Sequence, residues 1–184
     1  GMLRSIPVDF PQQVAIHPRT GQLYVLAGRH EALIRYDSES PARLREARLL
    51  RLSPDGKEEL SLPIEDAYIK QRKDTSYPDY RISMAVDFTG ARPVVWLGLA
   101  YPPPRGAKWS LLRIPDEGDR FAEPRDVCPR PEGALLDQPL QLALDRERDI
   151  LYVNDDSSKL TRFKGDGTPL PPFRVQTEAN GKTN

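Results

Sequence analysis

A chain of 184 residues with 38% hydrophobic content is long enough for one ordinary domain with a sizeable core. Its 27 basic and 27 acidic side chains cancel, which argues against a bulk electrostatic grip on nucleic acid or an anionic membrane. One cysteine, Cys128, excludes an internal disulfide, and no run of about 18 apolar residues is present to span a bilayer with a helix.

The 19 prolines and 12 glycines point to many short elements separated by ordered loops. The opening residues, Gly1 to Pro7, lack the apolar core of a signal peptide, and Gly1 ahead of Met2 has the look of a tag-removal scar. The pattern proper starts after Phe10. Val14-Ala15-Ile16 reads as a short strand, His17 to Gly21 as a turn, and Leu23 to Ala27 as a second strand.

The same phrase returns twice. Met84-Ala85-Val86-Asp87, a turn with Gly90, and Val94 to Gly98 form one copy; Leu142-Ala143-Leu144-Asp145, a turn, and Ile150 to Val153 form the other. Ala15, Ala85 and Ala143 occupy one position of the repeat, where a small residue suits a strand crowded at the inner end of a wedge. His17 stands in the slot of Asp87 and Asp145, which assigns it to capping the turn. His30 opens an insertion and has no partner for a dyad nearby in sequence.

A sharper motif follows each strand pair. Leu50-Arg51-Leu52 runs to Asp55-Gly56, Leu112-Arg113-Ile114 to Glu117-Gly118, and Thr161-Arg162-Phe163 to Asp166-Gly167. Each time, a glycine preceded by an acid lies five positions after the arginine. Alternation turns the apolar side chain inward and the arginine to solvent, and the acid–glycine pair supplies the positive φ of a turn. Three matches in the same order make an internal repeat. Weaker fourth segments follow at Glu59–Leu62, Arg120–Ala122, and Leu170 with Phe173–Val175, as outer edge strands.

The expected fold is therefore all-β: an array of three four-stranded antiparallel blades at about 11–62, 81–126 and 139–175. These form one domain over 1–176, with a flexible tail at 177–184. Insertions interrupt the units. Residues 28–48 carry an additional strand signal at Ala32–Tyr36 and a helix-start signal from Ser40-Pro41 through Leu44 and Ala47. Residues 65–81 hold Tyr68, Tyr77 and Tyr80, and residues 100–108 hold Tyr101-Pro102-Pro103-Pro104-Arg105. Tyrosine, arginine and proline in loops at one end of a repeat scaffold suit a recognition face, so Tyr68, Tyr77, Tyr80, Tyr101 and Arg105 are the candidate partner-binding residues. Trp109 alternates with Leu111 and fits its blade's core equally well.

The repeat unit resembles the NHL-type and related six-bladed β-propeller repeats, with Leu142 to Gly167 the best match and His17 to Val25 fitting the same template. The resemblance implies a partial or open propeller, because closed propellers have about four to eight blades and this chain carries three. The chain is then a piece of a larger one, half of a homodimeric ring, or an arc sealed by its own insertions. Non-enzymatic binding of a protein or carbohydrate partner is the expected function. The alternative from the same resemblance is part of a metal-dependent lactonase- or sugar-dehydrogenase-like enzyme. Calcium would be its ion, and Asn154, Asp155 and Asp156 its weak ligand candidates. Those three residues also fit a plain turn, and the matching positions Leu26-Ala27-Gly28 and Leu97-Gly98-Leu99 carry no ligand. No Ser-His-Asp order, phosphate loop or zinc spacing is present, so no catalytic residue is assigned. The resemblance leans toward an extracellular or periplasmic setting.

Overall fold

The computed structural model describes residues 5–30, 44–64, 81–100, 111–128, 139–155 and 160–171. Among these the chain is all-β, in three antiparallel sheets and without a helix. Sheet 1 runs β1 (Pro11–Ile16), β2 (Leu23–His30), β3 (Leu44–Leu52), β4 (Glu58–Pro63), in that order. Sheet 2 runs β5 (Arg81–Asp87), β6 (Val94–Ala100), β7 (Leu111–Pro115), β8 (Arg125–Asp126). Sheet 3 holds β9 (Pro139–Asp145), β10 (Ile150–Asp155) and β11 (Leu160–Lys164), and the chain beyond it touches back at the Phe163–Pro169 bridge and through Leu170 N–H to Arg162 O. Within each sheet every strand pairs with the next in sequence, as turn-bounded runs of β-branched and apolar residues dictate.

The registers align the repeats residue by residue. Ala15 pairs with Tyr24 and Tyr24 with Arg51; Ala85 pairs with Trp96 and Trp96 with Arg113; Ala143 pairs with Tyr152 and Tyr152 with Arg162. Each sheet thus carries one rung of alanine, aromatic ring and arginine on a single face. The alanine is small because a large ring lies directly beside it, about 5 Å away across the strands.

Packing follows from this alternation. Tyr24, Leu26, Ala47 and Leu49 of sheet 1 form a core with Val86, Val95, Leu97, Leu112 and Ile114 of sheet 2. The opposite face of sheet 2 contributes Trp96, Leu111 and Cys128 to a second core with Leu151, Val153 and Phe163 of sheet 3. Cys128 is buried there among apolar side chains. Sheet 2 is therefore covered on both faces. The outer face of sheet 1, with Val25, Ala27, Leu50 and Leu52, is packed by Ile6 and Val8 of the preceding segment.

Three expectations change. The helix signal at Ser40–Arg48 is overridden from Leu44 on, where β3 pairs with both β2 and β4 and continues the sheet for nine residues. His30 likewise ends β2, paired with Leu44, and does not open a loop. The fourth strand of sheet 2 is Arg125–Asp126, while Arg120–Ala122 only bridges back to the turn through Phe121 and Asp116. Pro115 sets this turn apart from its counterparts. In sheets 1 and 3 the residues at its place, Ser53 and Lys164, donate their N–H to Lys57 O and Thr168 O and close the turn, and a proline has no N–H to donate. The inferred strand at Ala32–Tyr36, the segment Phe173–Val175, Trp109 and the tail at 177–184 lie outside the described residues.

Candidate functional site

The two ends of the sheets differ. At one end lie the short turns 17–22, 53–57, 88–93 and 146–149, each linking two adjacent described strands, and the turns 116–120 and 165–168, which follow β7 and β11 and lead back to them at the Asp116–Phe121 and Phe163–Pro169 bridges. At the other end lie the strand termini that flank residues 31–43, 65–80, 101–110, 129–138 and 156–159. This separation follows from topology. In a four-stranded meander the first-to-second and third-to-fourth connections share one end, and the second-to-third connection and the passage to the next sheet share the other.

The short-turn end is tied together by side chains. His17 Nδ1 accepts from the N–H groups of Arg19 and Thr20 at 3.2 Å, as Asp87 Oδ1 accepts from Thr89 at 2.8 Å and Asp145 Oδ1 from Glu147 and Arg148 at 3.2 and 3.1 Å. The turn-capping role assigned to His17 is what the geometry shows. Its ring also packs at a tilt against Phe88 with centroids 4.8 Å apart, and the Arg146 guanidinium lies 5.6 Å from the centre of the Phe88 ring. One aromatic side chain so links the first turns of all three sheets. The glycines of the three repeats have φ of 90° at Gly56, 97° at Gly118 and 93° at Gly167, as the acid–glycine motif predicts.

The repeated arginines depart from expectation. Arg51 is not a solvated strand residue: its Nη1 binds both oxygens of Asp116 at 2.8 and 2.7 Å, its Nη2 donates to Gly118 O, and its Nε reaches Glu59. Arg113 donates to Gly165 O at 2.8 Å and lies 5.9 Å from the centre of the Trp96 ring. In each case the arginine of one sheet grips the acid–glycine turn of the next sheet. Arg162 donates to Pro171 O. Periodicity shows which side of its own sheet a residue faces, and cannot show that another sheet's turn stands there.

Between sheets 1 and 2 this network floors a cleft of about 280 Å³, lined among others by His17, Gln22, Arg92 and Asp116. Asp116 is 1% exposed, accepts from the Tyr24 hydroxyl at 2.6 Å, and its Oδ1 also accepts the Gly118 N–H. Burial first, then the hydrogen bond and charge of Asp116, push the Tyr24 phenol well above its ordinary range. The Arg51 guanidinium loses some of its proton affinity to burial, yet Asp116 raises it on balance. These groups neutralise one another, and their chemistry is structural: a buried ion pair and a phenol that stays protonated hold two sheets in register.

The residues singled out for binding fall in segments whose own placement is not described. Tyr68, Tyr77, Tyr80, Tyr101 and Arg105 lie outside the described residues, within 65–80 and 101–110, whose flanking strand ends are all at the end away from the short turns. Asn154 is exposed near that end of β10, Asp155 closes the strand, and Asp156 lies outside the described residues. Among the described residues no three histidine, cysteine or carboxylate side chains gather as a metal-binding group. Set against models of known protein families and against curated protein sequences, the chain matches none.

Proposed function

We propose that this chain is a non-enzymatic binding or scaffold module of β-propeller type, which presents its insertions to a protein or carbohydrate partner. The observation that carries the reading is the segregation of connections. The short turns gather at one end, where capping, the tilted His17–Phe88 ring contact and the Arg51–Asp116 pair tie the sheets together. The strand ends bordering the tyrosine-bearing segments are gathered at the other. A rigid base with variable segments on one side is the division of labour that recognition scaffolds use.

The test has two arms on the purified chain. It is presented to a glycan array and a peptide-display library, and any ligand found is titrated against the chain and against a variant with Tyr68, Tyr77, Tyr80 and Tyr101 changed to serine. The expected result is saturable binding that weakens at least tenfold in the variant while the unfolding midpoint stays put. In the second arm, lactones and phosphoesters are offered with and without calcium. Turnover that a chelator abolishes would replace this reading with the metal-dependent enzyme.

A further inference from the structure

The three rungs have different fates. Tyr24 and Trp96, the aromatic members in sheets 1 and 2, are both 0% exposed because the following sheet covers them. In sheet 3 the same face carries Ala143, which is exposed, and Tyr152, which is half-buried. The mirror situation holds at the start of the array. Met84 and Val86 of β5 and Leu142 and Leu144 of β9 pack against the preceding sheet. The residues at their places in β1, Val14 and Ile16, are 62% and 59% exposed. The array therefore ends in two unlike faces, each the counterpart of a face that is buried at both internal junctions.

We infer that these two faces pair head to tail between copies of this chain, the Tyr152 face of one copy seating on the Val14–Ile16 face of another. The occupant is fixed by the repeat itself, because the strand positions that cover Tyr24 and Trp96 inside the chain are the ones that Val14 and Ile16 of β1 leave exposed at its start. The outer half of that receiving face is already dressed for the junction. Ile6 lies against Gly56, and Val127 lies in the corresponding place against Gly167 at the junction of sheets 2 and 3. The inner half, where Val14 and Ile16 stand, is left for the incoming sheet.

The arginine pattern agrees. Arg51 takes the carboxylate of Asp116, and Arg113 takes the carbonyl of Gly165; both acceptors lie two residues before the turn glycine. At that place the receiving copy offers the carbonyl of Pro54, with the Asp55 carboxylate next to it, before Gly56. Arg162 is the side chain that would reach it. Contacts between unlike faces close into a ring or grow as a chain, depending on the rotation between copies. Two copies would place six sheets in a closed ring, within the range of about four to eight found in propellers.

Light scattering coupled to size-exclusion chromatography, at two concentrations, tests the pairing. The variants are Val14→Lys with Ile16→Lys at one end and Tyr152→Lys at the other; none of these side chains is fully buried, and circular dichroism checks that each variant folds. The expected result is twice the chain mass for the wild type, the chain mass for each variant, and partial return to twice the chain mass when the variants are mixed. In that mixture one junction is still intact. A mass that climbs in whole-chain steps and falls to the chain mass in either variant also upholds the junction, in its open form. A wild-type protein at the chain mass throughout overturns it. So does a larger species that survives either variant, because pairing of like faces would be lost in one variant alone.

Discussion

At the scale of single residues, the turn glycines and Tyr24 give two contrasting tests. A Cβ built on Gly118 meets nothing within 4 Å, whereas one on Gly167 would lie 2.6 Å from Val127 Cγ1. Both glycines have φ near 95°, a region open to glycine and costly for other residues. Gly118→Ala should therefore cost only the backbone strain, about 1–3 kcal/mol. Gly167→Ala should cost distinctly more, since it also forces sheets 2 and 3 apart. Urea unfolding of the two variants decides, and equal losses would show that Val127 yields freely. Tyr24→Phe should cost about 2 kcal/mol at neutral pH through loss of a hydrogen bond to a charged acceptor. The raised phenol of the folded protein makes this gap depend on pH. The unfolded phenol ionises near pH 10 while the folded one stays protonated, so its contribution is full below about pH 10 and declines above it. The wild type should approach Tyr24→Phe in stability as pH rises from about 9 to 11, and a constant gap across that range would contradict the burial-driven shift.

Between elements, the junction of sheets 1 and 2 rests on Arg51 and Asp116 as much as on apolar contact. Removing one member of a buried pair strands the other charge, at a cost of about 3–5 kcal/mol. Arg51→Ala and Asp116→Ala should each fall in that range. The double variant should lose less than their sum by at least about 1 kcal/mol, and additive losses would mean that Glu59 and the Gly118 carbonyl hold Arg51 unaided. This junction also marks how far the sequence could be read. Strand pairs and turn glycines were legible because alternation and acid–glycine spacing are local signals; the capping slot of His17 was legible because two aspartates occupy it in the other copies. The grip of Arg51 on the next sheet was not, since nothing local distinguishes an arginine facing water from one facing a neighbouring turn. The fourth strand of sheet 2 was misplaced because Arg120–Ala122 has strand-like residues, yet the segment pairs back only at Phe121 and the ladder resumes at Arg125. The short-turn end was thus readable in part, whereas the tyrosines proposed for binding lie outside the described residues.

For the whole molecule, burial grades from the middle outward. In β6 the side chains of Val95, Trp96 and Leu97 are all 0% exposed, because sheets 1 and 3 cover opposite faces of sheet 2 and β6 is an interior strand hydrogen-bonded on both sides. Sheet 1 has one face against sheet 2 and its other against the short segment with Ile6 and Val8, which leaves Val14 and Ile16 in solvent. Sheet 3 has one face against sheet 2 and the other only half-buried at Tyr152. In a linear array each unit is stabilised by its neighbours, so the middle unit opens last and the terminal units first. Amide hydrogen exchange should therefore be slowest in Val95–Leu97, faster in β10, and fastest in the edge strand β1, even though all three belong to hydrogen-bonded ladders. Exchange in β6 as fast as in β1 would mean that the sheets open together and that the internal junctions add little. The same experiment bears on pairing between copies: if the end faces meet, raising the protein concentration should slow exchange in β1 and β10 and leave β6 unchanged, because only the terminal sheets gain a neighbour.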